Sequence, residues 1–200
     1  SEISVVEDGR KDETVLVANK KKARVLKNGV NRGKGYSVRS GMLSTNDDTI
    51  LFTDADNSTP IEEYEKLKHY LKTHDVIIAS REKKGARRMP PQPPLRRFVG
   101  RVFSYITQLL LLPGIQDSQC GFKLFTKKTA RDIFSRCTLN GFGFDVEALY
   151  VARTLGYRIK EVPVTWKDSK ESKVSAIKDS YRMLIDVLKV RWKGWTGGYR

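Results

Sequence analysis

The sequence predicts an α/β domain: a mixed, mostly parallel sheet flanked by helices. Three observations carry this. Short β-branched or apolar runs at 3–6, 49–53 and 75–80 alternate with helical segments of about ten residues, the pattern of strand–helix–strand units. Each run ends in polar turn residues, namely Glu7-Asp8-Gly9, Asp54-Ala55-Asp56 and Arg81. Finally, 200 residues with 39% hydrophobic and 30% charged content suit one globular domain over residues 1–200. In such sheets ligands bind beyond the carboxyl ends of the strands, so Asp8, Asp54 and Arg81 are expected to line one crevice.

The elements follow in order. After the first strand, Asp12 can cap a helix reaching about Ala23. Residues 24–26 read as a brief strand, 31–35 as a glycine-rich basic turn, and 36–44 as a helix with Val38, Met42 and Leu43 on one side. Ser58-Thr59-Pro60 with Glu62 and Glu63 starts a helix that runs to about Leu71, with proline in its first turn and acids at the positive end of the dipole. The stretch 83–94 holds four prolines and paired basic residues, so it reads as a mobile basic loop. A helix follows at 95–112, with Phe98, Val102, Phe103, Ile106 and Leu109 among its apolar positions and Arg97 and Arg101 on another face. A strand is expected at 121–125, helices at 128–137 and 145–155, and a strand at 158–166. A long helix at 175–192 carries Tyr181, Leu184, Ile185, Leu188 and Trp192 as its stripe.

Charge narrows the partners. Lys+Arg is 38 against Asp+Glu 23, a formal net charge of +15. Such a field attracts anions: nucleic acid, acidic headgroups or phosphorylated substrates. Eight basic residues and one acid lie between Arg81 and Arg101, so nearly half of the excess sits in one segment. Two cysteines, Cys120 and Cys137, cannot build a disulfide framework. Neither C-x-x-C nor H-E-x-x-H spacing occurs, and the polar, acidic residues 1–12 do not resemble a signal peptide. No stretch of 18 apolar residues is present to span a bilayer.

The sharpest chemical feature is Asp54-Ala55-Asp56. Two carboxylates at the end of a buried strand can face Mg²⁺ or Mn²⁺, which usually takes one or two protein carboxylates and fills its remaining sites with water and phosphate oxygens. Aspartates also favour loops and caps for their own sake, and Asp8-Gly9 alone is equally compatible with a plain turn. Asn31-Arg32-Gly33-Lys34-Gly35 resembles a phosphate-cradling loop but fails the Walker A spacing. The 95–112 helix has two readings: a core helix with solvated arginines, or a helix at a membrane interface holding anionic headgroups.

Taken together, the motifs resemble family 2 glycosyltransferases of the GT-A (Rossmann-like) type, in the polyprenyl/dolichyl-phosphate branch. The matching segments are V-V-E-D-G at 5–9, N-R-G-K-G at 31–35, F-T-D-A-D with S-T-P across 52–60, and Ser80-Arg81. Further matches are D-S-Q-C-G-F-K-L-F at 117–125, G-F-D-V-E at 143–147, E-V-P-V-x-W at 161–166 and S-K-V at 172–174. The 117–125, 144–147 and 161–166 motifs look more like the dolichyl-phosphate β-glucosyltransferases than the mannosyl enzymes. The resemblance implies inverting hexosyl transfer from a nucleotide-sugar, UDP-glucose or alternatively GDP-mannose, to the phosphate of a polyprenyl or dolichyl phosphate. It implies Asp56 and Asp145 as catalytic, and Asp54 and Asp56 as ligands of Mg²⁺ or Mn²⁺. Val6, Asp8, Lys34, Asp54, Ala55, Asp56, Arg81 and Lys173 are implied in donor binding. Arg97, Arg101, Gln119 and Cys120 are implied at the acceptor phosphate. The basic loop and helix at 82–113 are implied as a peripheral contact with the cytoplasmic face of a membrane, with any anchor lying outside this chain.

Family members usually open with a further strand and loop before the Asp8 strand, so relative to them the chain is expected to begin at the second strand. Two rivals stand beside this reading: a basic nucleic-acid-binding domain and a non-catalytic membrane-surface module. Aromatics do not interleave with the Arg/Lys-rich segment as a nucleic-acid stacking platform requires, so no nucleic acid is expected.

Overall fold

The structure is a computed structural model describing residues 2–9, 12–89, 94–167 and 176–200, with side chains of 94–96 and 176–180 outside the description. Its central sheet has four strands in the order β3-β6-β4-β7, formed by β3 (Thr49–Thr53), β4 (Val76–Ser80), β6 (Phe122–Thr126) and β7 (Ile159–Pro163). β4 and β7 run parallel, whereas β6 is antiparallel to both of its neighbours. The sheet is therefore mixed, and β6, inserted between β3 and β4, supplies its antiparallel element. β1 (Ser4–Glu7) and β2 (Arg24–Lys27) pair in parallel as a separate ribbon.

Side chains alternate between the faces of a strand, and this divides the core in two. Ile77, Ala79, Phe122, Leu124 and Val162 pack on one face with Leu67 of α3 (Glu63–Lys68) and Trp166. Val76, Ile78 and Phe125 pack on the other with α2 (Lys34–Ser44), α5 (Lys127–Phe134), α6 (Phe144–Thr154) and α7 (Ala176–Trp195). β6 therefore places Lys123 between two core-facing leucine and phenylalanine positions, on the side covered by α6.

Several sequence expectations change. The first helix, α1, is short (Thr14–Lys20), although Asp12 does accept the Thr14 N–H at its entrance. α3 stops at Lys68 and continues only as a 3₁₀ turn, His69–Lys72. The basic loop contains a strand, β5 (Arg87–Met89), which pairs in parallel with β8 (Thr165–Lys167); residues 90–93 lie outside the description. The strand expected at 158–166 divides there: Pro163 has no N–H to donate, and the chain beyond it leaves β4 for β5.

The two long helices each set one side on the core. α4 (Pro94–Leu110) buries Phe103 and Thr107, and α7 buries Met183, Val187 and Val190. Of the apolar positions read from the sequence, Phe103 is buried, whereas Phe98 66%, Leu109 72%, Tyr181 67% and Trp192 68% are exposed. Leu43 is likewise exposed, while its neighbour Met42 is buried.

Candidate active site

Asp8 follows β1, where Glu7 closes the ribbon. Its Oδ1 accepts the Arg32 N–H at 2.8 Å and Asn28 Nδ2 at 2.9 Å, and its Oδ2 accepts the Gly33 N–H at 2.9 Å. Burial disfavours the charge, but these donors outweigh it and hold the Asp8 pKa below the usual carboxylate value. Asp8 thus shapes the 31–35 turn. Val6 lies against α2, where a side chain at Gly41 would come within 3.0 Å of its Cγ2.

The glycine turn is packed, not loose. The Asn140 carbonyl accepts the Gly35 N–H at 2.7 Å, and a Cβ at Gly33 would lie 2.4 Å from that same oxygen. Gly33 also has φ +95°, a region closed to most side chains. The turn delivers Lys34 to the end of β3, where its Nζ meets Asp54 Oδ1 at 2.8 Å and Oδ2 at 2.9 Å. Burial would lower the lysine pKa, but Asp54, Asp145 and Asp56 raise it overall. The ammonium also lies near the rings of Phe52 and Phe144, which pack edge to face.

Asp54 sits against the backbone of Gly121, where an added Cβ would fall 2.0 Å from its Oδ2. Glycine is therefore required there for the carboxylate to keep its place. Ala55 and Asp56 are exposed, and Asp56 Oδ1 accepts the Ser58 N–H at 2.9 Å. One carboxylate held by a cation and one open to solvent, side by side at a strand end, fit a Mg²⁺ or Mn²⁺ ion that takes phosphate oxygens for its other ligands. Among the described residues no group of three His, Cys, Asp or Glu side chains is gathered to hold a metal by itself.

Behind this pair lies a second one. Lys123 Nζ meets Asp145 Oδ1 at 2.5 Å and donates to the Cys120 carbonyl at 2.7 Å, with both side chains buried. Burial raises the Asp145 pKa, and Lys123 and Lys34 pull it back only in part. Asp54, Lys34, Asp145 and Lys123 form an alternating set of charges, so Asp145 sits inside the wall of the site as a counter-ion. Lys123 had no role in the sequence reading. Its signal was a lone lysine inside the apolar run F-K-L-F, since a charge on a buried strand needs a partner.

Arg81 lies at the end of β4, bound to Asp117 by three contacts. Its Nε and Nη2 reach the two carboxylate oxygens at 2.8 and 2.9 Å, and its backbone N–H adds a third at 2.8 Å. The guanidinium also stacks over Trp166. Glu161 on β7 accepts the backbone N–H groups of Gln116 and Asp117. Arg81 and Glu161 thus anchor the loop 116–121 that ends on Gly121 and Asp54. Burial opposes ionisation of Asp117, but Arg81 prevails and lowers its pKa to about 2. The folded value lies below the unfolded one, so this stabilisation is present above pH 3.8 and is lost as pH falls towards 2. Acid unfolding of the wild type followed by circular dichroism is expected to steepen in that window; Asp117→Asn should flatten it.

The remaining candidates are dispersed. The Cys120 thiol is fully buried, lies 3.6 Å from Thr59 Oγ1 and has its pKa pushed up to about 11 by burial. It supports the loop from below, a correction to its expected place on the acceptor surface. The Gln119 side chain turns towards Met183 of α7. Arg97 and Arg101 are exposed one turn apart on α4, and Lys173 lies outside the described residues. Among the described residues no helix is long and apolar enough to cross a membrane.

The chain is similar to known proteins in sequence and in fold. The chain is 36% identical over 213 residues to the dolichyl-phosphate beta-glucosyltransferase of Drosophila melanogaster and 34% identical over 213 residues to that of Homo sapiens. Each match takes in all of this chain, which spans 65% and 66% of the two relatives' lengths. In fold, it resembles crystal structures of glucosyl-3-phosphoglycerate synthase from Mycobacterium tuberculosis. The complex with UDP superposes with a TM-score of 0.72 at 18% identity, covering 96% of this chain and 69% of that one. The complex with Mn²⁺, UDP-glucose and phosphoglyceric acid gives 0.73 at 16%, with the same coverage. Residues 1–134 match the model of glycosyl transferase family 2, and with these relatives the match places the chain in that family.

Proposed function

We propose that this chain is a catalytic domain that transfers glucose from UDP-glucose to the phosphate of a dolichyl or polyprenyl phosphate. The observation that carries the reading is the pair Asp54 and Asp56 at the end of β3, with Lys34 already bound to Asp54. The activity of the full-length relatives and the UDP-glucose and Mn²⁺ of the fold neighbour support it.

Asp54 and Asp56 would hold Mg²⁺ or Mn²⁺, which when bound neutralises charge on the departing diphosphate. Lys34 offers a second cation to that diphosphate. Asp8 holds the Arg32 and Gly33 amides, and so the turn that carries Lys34, in place. The acceptor needs little activation, because a phosphate monoester with a second pKa of about 6 is largely a dianion at neutral pH. A phosphate oxygen attacks C1 of the sugar in line; the new C1–O bond forms as the bond to the diphosphate breaks, and UDP leaves. Positioning and charge compensation replace a general base.

α4 and α7 suit the lipid side of this reaction. Phe98, Val102, Tyr105 and Leu109 on α4 and Tyr181, Leu188 and Trp192 on α7 are exposed together with Arg97 and Arg101. An apolar face edged by arginines supports peripheral contact with an anionic membrane. The test is to supply UDP-glucose, Mn²⁺ and a polyprenyl phosphate in anionic vesicles and to follow UDP release and glycolipid. Metal-dependent turnover is expected, with Phe98→Ser reducing vesicle binding. No turnover with salt-sensitive RNA binding would overturn the reading, and preference for GDP-mannose would correct the donor.

A further inference from the structure

Glu147 lies in the first turn of α6, is fully buried and faces away from the acidic site. Its Oε1 accepts the Thr138 N–H and hydroxyl at 2.9 Å each, and its Oε2 accepts the Leu139 N–H at 2.8 Å. Two further contacts come from far along the chain: the Tyr199 hydroxyl donates to Oε1 at 2.8 Å, and the Lys193 ammonium lies 4.0 Å from the same oxygen. Tyr199 is itself buried at 1% exposure, packs edge to face on Tyr150 and lies 4.2 Å from the Lys193 ammonium. Lys193 in turn donates to the Arg136 carbonyl and the Thr138 hydroxyl.

The segment so held is the seat of the donor turn. The Leu139 carbonyl lies where a Cβ at Gly35 would fall, and the Asn140 carbonyl accepts the Gly35 N–H. Arg39 of α2 clasps the same segment through the Cys137 carbonyl and the Asn140 side chain. A shift of a few tenths of an ångström at 138–140 therefore moves Gly33 and Gly35, and with them Lys34 against Asp54.

We propose that Tyr199 and Glu147 are positioning residues for the nucleotide-sugar site, acting through 138–140 on the Gly33–Gly35 turn. Part of the inference rests on the donor reading above, so its test has one readout that does not. Tyr199→Phe keeps the ring on Tyr150 and removes only the hydroxyl from a buried carboxylate, a loss of roughly tenfold to hundredfold in local stability. Amide hydrogen exchange at 33–37 and 138–140 is expected to accelerate by a similar factor, with β4 and β6 unchanged. The KM for UDP-glucose is expected to rise by that factor, while kcat at saturating donor changes less than twofold. Glu147→Gln, which sets an amide donor against backbone N–H groups, should give a larger change at the same amides. Faster exchange confined to 196–200 in Tyr199→Phe would overturn the proposal, since Tyr199 would then anchor only its own segment. A wild type that ignores UDP-glucose would sink the donor reading alone, and the exchange pattern would still decide this one.

Discussion

Asp56→Asn is expected to lower glucosyl transfer by roughly two to three orders of magnitude, the cost of removing one preorganised electrostatic group from a transition state. The thermal midpoint should not move. Asp56 is exposed, and its hydrogen bond from the Ser58 N–H goes to Oδ1, which an asparagine can offer equally well. Only the negative charge of the proposed metal ligand is lost. Asp54→Asn would be a less clean probe, because it also releases Lys34. The deciding measurement is single-turnover transfer against Mn²⁺ concentration; an unchanged rate with unchanged metal dependence would remove Asp56 from the site.

Lys123→Met is expected to destabilise the domain by about 3–5 kcal/mol, because it strands the Asp145 carboxylate without its partner in the interior. The loss should depend on pH in a defined direction. Burial already raises the Asp145 pKa, and removing Lys123 raises it further. The folded form then binds more protons than the unfolded form, so stability falls as pH rises and the deficit of the variant shrinks on acidification. Lys123→Met with Asp145→Leu removes both charges and should recover most of the stability, since a well-packed apolar pair often replaces a buried ion pair at little cost. Urea denaturation at pH 5 and pH 8 checks both statements. Equal deficits at the two pH values, or no recovery in the double variant, would show that the pair carries no such burden.

The strands and the acidic turn were legible because their signals are local. Thr49–Thr53 and Val76–Ser80 are apolar runs whose ends are marked by charged residues, and Ser58-Thr59-Pro60 is a start signal readable without any partner. Which apolar stripe of α7 meets the core was not legible. Met183, Val187 and Val190 recur with helical spacing, and so do Tyr181, Ile185, Leu188 and Trp192. The two stripes start two residues apart, about 200° around the helix, and periodicity alone cannot say which one meets the core. The ion pairs escaped for a different reason: Arg81 and Asp117, or Lys123 and Asp145, are distant in sequence and meet only when β4, β6 and α6 assemble.

By itself the sequence determined the α/β class, the family-specific motifs and the positions of Asp8, Asp54 and Asp56 at strand ends. Each rests on neighbours within a few residues, where propensity and turn chemistry act. Only the tertiary structure decided which charges are spoken for. It bound Asp8 to the turn amides, Arg81 to Asp117 and Asp145 to Lys123, placed Cys120 beneath the surface, and left Asp56 exposed. A charge's role depends on its nearest counter-charge and on the water excluded around it, and both are set by contacts between segments far apart in the chain.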